Sequence, residues 1–175
     1  MILFRKANLN DINRIEEIYN LIHDLEESGK VEIGWIRNVY PIRQTAIDAI
    51  NKDEMFIEED DGIIVASAKI NKEQVPEYKN ANWQYDVLNE EVMVLHTLTV
   101  DPNFARKGYG REFVKFYEDY ALNNNCHYLR IDTNEINTRA RTMYEKLGYQ
   151  EAGIVPCDFN GIPNIGLVCL EKKLN

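Results

Sequence analysis

The stretch VMVLHTLTVDPNFARKGYGR, from Val92 to Arg111, decides how this chain folds. Its β-branched and apolar first half reads as a strand and Asp101-Pro102 as a turn. Arg106-Lys107-Gly108-Tyr109-Gly110 then forms a basic Gly-x-Gly loop that opens an amphipathic helix. In such a loop main-chain N–H groups converge at the helix N-terminus, where unpaired donors and the positive end of the helix dipole favour an anion. The preceding strand lies beside whatever carries that anion. The stretch therefore predicts a site for a phosphate-bearing cofactor.

Working outward, residues 2–6 read as a short strand. A helix follows from about Leu9, with Asn8 as N-cap and Asp11 closing a capping-box variant. Ile12, Ile15, Ile18, Ile22 and Leu25 recur at helical steps, and Ser28-Gly29 ends the helix. A second helix begins after Pro41 and runs to about Asn51. Strands at 54–59 and 63–71 join through Asp61-Gly62, and the run Glu58-Glu59-Asp60-Asp61-Gly62 reads as an exposed hairpin turn. Residues 72–89 read as a long polar loop and 90–100 as the strongest strand. A helix over 108–124 follows, with Phe113, Phe116, Tyr117 and Tyr120 on one side. A strand at 127–133, a helix at 137–147 ended by Gly148, and strands near 149–155 and 164–172 complete the chain. The order β-α-α-β-β-β-α-β-α-β-β predicts one α/β domain over residues 1–175. Three consecutive strands in the middle argue for a mixed sheet rather than a doubly wound one.

Composition excludes several classes. Lys and Arg total 20 against 29 Asp and Glu, and the net charge of −9 disfavours nucleic acid, which needs basic surface. No apolar run approaches the roughly 20 residues that span a bilayer, so no membrane association is expected. In MILFRKANLND the charges follow the short apolar stretch, unlike a cleavable signal peptide, and a cytoplasmic location is expected. Cys126, Cys157 and Cys169 have no CxxC spacing and, with His23, His96 and His127, form no metal pattern; no metal is expected. Cys126 beside His127 reads as a small buried side chain rather than a nucleophile, because neighbours on a strand face opposite ways.

The Gly-x-Gly loop alone is a weak signal. A dinucleotide fingerprint would need a third glycine where Phe113 stands, and no Gly-Lys-Ser/Thr follows for a nucleotide P-loop. A second segment, NTRARTMYEKLGY from Asn137 to Tyr149, adds to it. On a helix, Asn137, Ala140 and Tyr144 share one stripe, over which a slender amide-containing arm could lie. The plainer alternative is that Asn137 caps the helix and Tyr144 is core.

Together the two segments resemble the GNAT N-acetyltransferase superfamily. Val92–Arg111 matches its strand–pyrophosphate loop–helix motif, and Asn137–Tyr149 matches its Asn-x-x-Ala-x-x-x-Tyr-x-x-x-Gly-aromatic motif. The N-terminal third is similar to a subgroup with a Trp and a Tyr-Pro pair before the second helix, here Trp35 and Tyr40-Pro41. The resemblance implies the GNAT fold with splayed central strands. It also implies acetyl-CoA as cosubstrate and, as acceptor, a primary amine of a small molecule or peptide, which attacks the acetyl carbonyl directly through a tetrahedral intermediate. Similar proteins are frequently homodimers.

Carried over residue by residue, the resemblance assigns main-chain contacts with the acetyl carbonyl and pantetheine arm to Leu98, Thr99 and Val100. Arg106, Lys107, Gly108, Tyr109 and Gly110 would hold the pyrophosphate, and Asn137 and Ala140 the arm. Tyr144 would protonate the departing thiolate. Trp35, Tyr40, Trp83 and Tyr85 fall in segments that wall the acceptor side in similar folds, though each reads equally well as core. His96, with Glu90 and Glu91 at the start of its strand, is a candidate general base. Strand alternation puts residues 96, 98 and 100 on one face, so the alternative is a packed and inert His96. The family usually has Gln or Arg three residues before the first loop glycine, where this chain has Ala105. That departure leaves the loop to its main-chain donors, Arg106 and Lys107, and motivates a second reading: a CoA-binding module with little or no catalysis.

Overall fold

The computed structural model describes residues 1–175. In chain order the elements are β1 (Ile2–Lys6), α1 (Ile12–Glu27), α2 (Arg43–Asn51), β2 (Met55–Asp60), β3 (Ile63–Asn71) and β4 (Val92–Val100). There follow α3 (Tyr109–Asn123), β5 (Tyr128–Asn134), α4 (Thr138–Lys146), β6 (Gln150–Phe159) and β7 (Ile162–Lys173). The expected capping box forms, with Asn8 Oδ1 accepting from the Asn10 N–H at 2.9 Å and Asp11 Oδ2 accepting from the Asn8 N–H at 2.8 Å. It caps a 3-10 turn, Leu9–Asp11, that leads into α1. The expected loop 72–89 contains a 3-10 turn at Pro76–Asn80, and a second, Asn89–Glu91, takes the place of the first residues of the expected strand 90–100.

The seven strands form one mixed sheet in the order β1-β2-β3-β4-β5-β7-β6, antiparallel except for the β4–β5 pair. One face packs on α3 and α4, with Phe113, Tyr117 and Tyr144 meeting Met93, Leu95, Leu129 and Ile131. The opposite face carries two cores. Under α1 and α2 lie Met55, Ile57 and Ile64, and beside them Tyr78 packs on Val92, Val94, Leu167 and Cys169. Glu58 is fully buried rather than exposed, because strand alternation turns it inward with Phe56; only Asp61-Gly62 forms the turn. The last two strands run longer than expected, since Asn160-Gly161, both at positive φ, makes a tight hairpin that lets them pair over most of their length.

Two features of β4 position the site. Between β3 and β4 the register moves from Ser67↔Thr99 to Lys69↔His96, three steps in β4 against two in β3. Thr97, at φ 54°, accommodates the extra residue. A bulge bends its strand and resets the alternation of side chains. Leu98 and Val100 therefore pack on the α3 side with Met93 and Leu95, whereas His96 keeps to the opposite face with Val92 and Val94. The expectation that His96, Leu98 and Val100 share a face fails for this reason. The second feature is that β4 and β5 pair only from Val92↔Tyr128 to Leu95↔Ile131, although both strands continue. Beyond Leu95 they part, as the splayed fold requires.

Candidate acyl-transfer site

A cleft of about 1450 Å³ opens where β4 and β5 separate. Leu98, Thr99 and Val100 line it, and their main-chain groups on the β5 side lack a strand partner there. At its far end Gly108, at φ 95°, begins α3. The Glu112 N–H bonds Gly108 O at 3.0 Å, which leaves the N–H groups of Tyr109, Gly110 and Arg111 without helical acceptors. Gly110 is closely packed: a Cβ there would lie 3.4 Å from Met143 Sδ and 3.7 Å from Val100 Cγ2. Arg106 lines the mouth in a left-handed conformation, while Lys107 is exposed above the Phe104 ring. Buried Asp101 holds the loop in place, accepting from the Asn103 N–H at 2.8 Å and from Arg14, which also donates to Ile64 O at 3.0 Å.

The residues present fit an extended cofactor ending in a pyrophosphate. Three free N–H groups and nearby Arg106 suit the phosphates, and unpaired strand groups suit an amide arm. Asn137 and Ala140 also line this cleft. Asn137 does cap α4, its Oδ1 accepting from the Ala140 N–H at 3.2 Å, and its amide nitrogen remains free to donate. Tyr144, largely buried, also lines the cleft. Burial, and secondarily Asp132, pushes its pKa well above the usual tyrosine value, so it stays protonated.

The cleft extends to the face of the sheet opposite α3 and α4. Trp35 and Tyr40 reach it together, edge to face at 6.2 Å, and the Tyr40 hydroxyl bonds Thr97 Oγ1 in the bulge. Trp83 and Tyr85 do not line the cleft, contrary to the sequence reading. Trp83 donates its indole N–H to Tyr78 O at 2.7 Å and stacks under the Arg130 guanidinium at 4.1 Å; Tyr85 O accepts from Arg130 at 3.3 Å. Trp83 thus buttresses Tyr78, and Tyr85 packs on Tyr128.

His96 lines the cleft, half-buried, with Nε2 2.7 Å from Asn71 Oδ1. The Asn71 amide nitrogen donates to Glu54 at 3.1 Å, so its oxygen is the acceptor and His96 carries its proton on Nε2. Burial, helped by Lys69, lowers its pKa to about 3. The ring is neutral at pH 7 and a poor proton acceptor there, which weighs against His96 as the base.

Sequence reasoning passed over Asp132. It follows Ile131, where β4 and β5 part, and half-buried it faces the cleft on the His96 side. Its Oδ2 accepts from the Tyr78 hydroxyl at 2.6 Å. Burial raises its pKa from 3.8 to about 6, against the lowering effect of the Tyr78 bond. A legible signal was present: in Tyr128-Leu-Arg-Ile-Asp132 the alternation puts a carboxylate in line with Tyr128 and Arg130 on a covered face.

This fold and cleft define an acyl-CoA-type N-acyltransferase architecture. The sequence model of the acetyltransferase (GNAT) family matches residues 15–149, and the chain belongs to that family. A 62-residue segment is 34% identical to the uncharacterized N-acetyltransferase YhfO of Bacillus subtilis, covering 35% of this chain and 42% of that relative. The alignment thus spans under half the relative's length. A GNAT-family acetyltransferase from Streptococcus agalactiae superposes with a TM-score of 0.83 at 22% identity, covering 99% of this chain and 96% of that one. The Salmonella typhimurium protein yncA, solved with its cofactor acetyl-CoA, superposes at 0.72 with 15% identity, covering 100% and 95%. The Escherichia coli ribosomal-protein-S18-alanine N-acetyltransferase does so at 0.69 with 16% identity, covering 100% and 95%. No helix is long and apolar enough to cross a membrane.

Proposed function

We propose that this protein transfers the acetyl group of acetyl-CoA to a primary amine, with Asp132 as general base and Tyr144 as general acid. Acetyl-CoA supplies an acetyl thioester. The observation that carries the reading is the position of Asp132 at the gap between β4 and β5, one strand from His96 and within electrostatic reach of Tyr144. An alkyl amine is protonated at neutral pH, its pKa being near 10, and must lose a proton to attack. A carboxyl with a pKa of about 6 is ionised at pH 7 yet basic enough to take that proton, directly or through a water.

Main-chain donors at Leu98–Val100 face the negative charge that develops on the carbonyl oxygen, an effect worth about 3 kcal/mol per donor. The Tyr144 hydroxyl gives its proton to the leaving sulfur and regains one afterwards. Asp132 returns its proton to solvent, so each turnover of an ammonium acceptor releases one proton overall. Trp35 and Tyr40 wall the acceptor, and the neutral His96 serves as a hydrogen-bond acceptor from its free Nδ1.

Calorimetry with acetyl-CoA, CoA and NAD tests the cofactor assignment. Acetyl-CoA and CoA bind and NAD does not; binding of NAD alone would overturn it. Tight binding of acetyl-CoA with no acetylation of any amine would favour the non-catalytic module instead.

A further inference from the structure

On the acceptor side one row of side chains crosses the sheet. Lys69 pairs with His96 in the β3–β4 register, and the Leu95↔Ile131 pairing sets Asp132 beside His96 on the next strand. All three line the same cleft. Lys69 and Asp132 are thus two strands apart, roughly 10 Å between Cα atoms, within joint reach of one small molecule given the lysine's long stem.

Lys69 is three-quarters buried yet makes no hydrogen bond. The one acid within ion-pair distance, Glu73, is 3.8 Å away and more than half exposed. A second donor stands close by. Tyr19 of α1 lines the cleft almost wholly buried, and its hydroxyl has no hydrogen-bond partner. It approaches Ser67, which precedes Lys69 by two residues and whose own hydroxyl bonds Thr99 Oγ1 at 2.8 Å. An under-paired ammonium and an orphaned phenol at one end of a cleft are both donors seeking an anion, because buried donors left unpaired are costly. At the other end, the Asp132 carboxylate and the free Nδ1 of neutral His96 are acceptors suited to an ammonium. Ile33, Trp35, Phe159 and Ile165 supply apolar wall between them and the opening.

We infer that the acceptor is a free amino acid with an apolar side chain, its carboxylate bound by Lys69 and Tyr19 and its α-amine delivered to Asp132. This rests on the acetyl-transfer reading above and adds the acceptor's second charge. The same polarity disfavours polyamines, which would place a cation against Lys69.

The test compares kcat/KM for leucine, leucinamide and 3-methylbutylamine, and likewise for phenylalanine, phenylalaninamide and phenethylamine, with peptides and spermidine included. The free amino acids are preferred about tenfold to a hundredfold, the range for a hydrogen-bonded charge. Lys69→Met removes most of that preference by raising KM for the amino acids, Lys69→Arg retains part of it, and Tyr19→Phe weakens it to a lesser degree. If the amides or decarboxylated amines match the amino acids, or Lys69→Met depresses all acceptors equally, the inference fails while acetyl transfer stands. If no amine is acetylated, both fail.

Discussion

Tyr78 donates its hydroxyl to Asp132 Oδ2 at 2.6 Å, and so ties the 3-10 turn on the His96 face of the sheet to a carboxylate at the point where β4 and β5 part. The bond favours the ionised carboxyl while burial opposes it, and the balance sets the pKa at about 6. Since the base works when ionised, kcat/KM should rise with pH through about 6. Tyr78→Phe should move that limb to higher pH. Asp132→Asn should abolish it and cost about a hundredfold or more at pH 7. A pH–rate profile unchanged in Asp132→Asn would remove Asp132 from the mechanism.

The same carboxyl costs stability. Because its folded pKa lies above the ordinary 3.8, its contribution is complete below pH about 4 and lost as pH rises through about 6. Asp132→Asn can still accept from Tyr78 and carries no charge. Its melting temperature at pH 7 should therefore exceed that of the parent, even as activity falls. Thermal denaturation of the two proteins at pH 4 and pH 7 reads this directly: the gap opens only at the higher pH.

Tyr144→Phe keeps the ring in its core position among Phe113, Tyr117 and Tyr149 and removes only the proton donor. We expect kcat to fall about a hundredfold with little change in KM for acetyl-CoA. Full turnover by this variant would rule out Tyr144 as the acid.

Gly108 begins α3 at φ 95° with open space around it, a Cβ meeting only Arg111 at 3.9 Å. Gly108→Ala thus tests backbone conformation without a clash. Left-handed geometry costs a non-glycine residue about 1–2 kcal/mol, so KM for acetyl-CoA should rise roughly fivefold or more as the loop relaxes. Steady-state kinetics at saturating acceptor would show it.

Glu58 is fully buried on β2, neither carboxyl oxygen has a hydrogen-bond partner, and Glu112 of α3 lies nearby. Burial raises its pKa from 4.5 to about 8. Its contribution to stability is complete below pH about 4.5 and lost progressively as pH rises through about 8. Between pH 5 and 8.5 the melting temperature of the parent should drop more steeply than that of Glu58→Gln. Parallel curves would show that Glu58 ionises like an exposed acid.

The elements around Val92–Arg111 and Asn137–Tyr149 were legible because their signals are local. Glycine at positive φ, a capping Asn and helical spacing all act within a few residues. Alternation alone turns Asp132 to a covered face, but its meeting with Lys69 and Tyr19 was not legible, because only the β3–β4–β5 register and the packing of α1 bring them to one cleft. The bulge at Thr97 gave no sequence warning and changed the face on which His96 was expected. Glu58 was hidden by its acidic neighbours, although alternation with Phe56 turned it inward. Trp83 and Tyr85 were placed at the acceptor side by position alone. The turn at Pro76–Asn80 instead packs the segment beside the cleft on that face, Trp83 against Tyr78 and Tyr85 against Tyr128.

Acetyl transfer and the roles of Asp132 and Tyr144 are read together by acetyl-CoA-dependent thiol release across a panel of amines, with the acetylated product weighed by mass spectrometry. Release should require an amine, yield one acetylated product per thiol, and collapse in Asp132→Asn and Tyr144→Phe. Acetyl-CoA that binds but stays intact with every amine, or release unaffected by both substitutions, would contradict this mechanism.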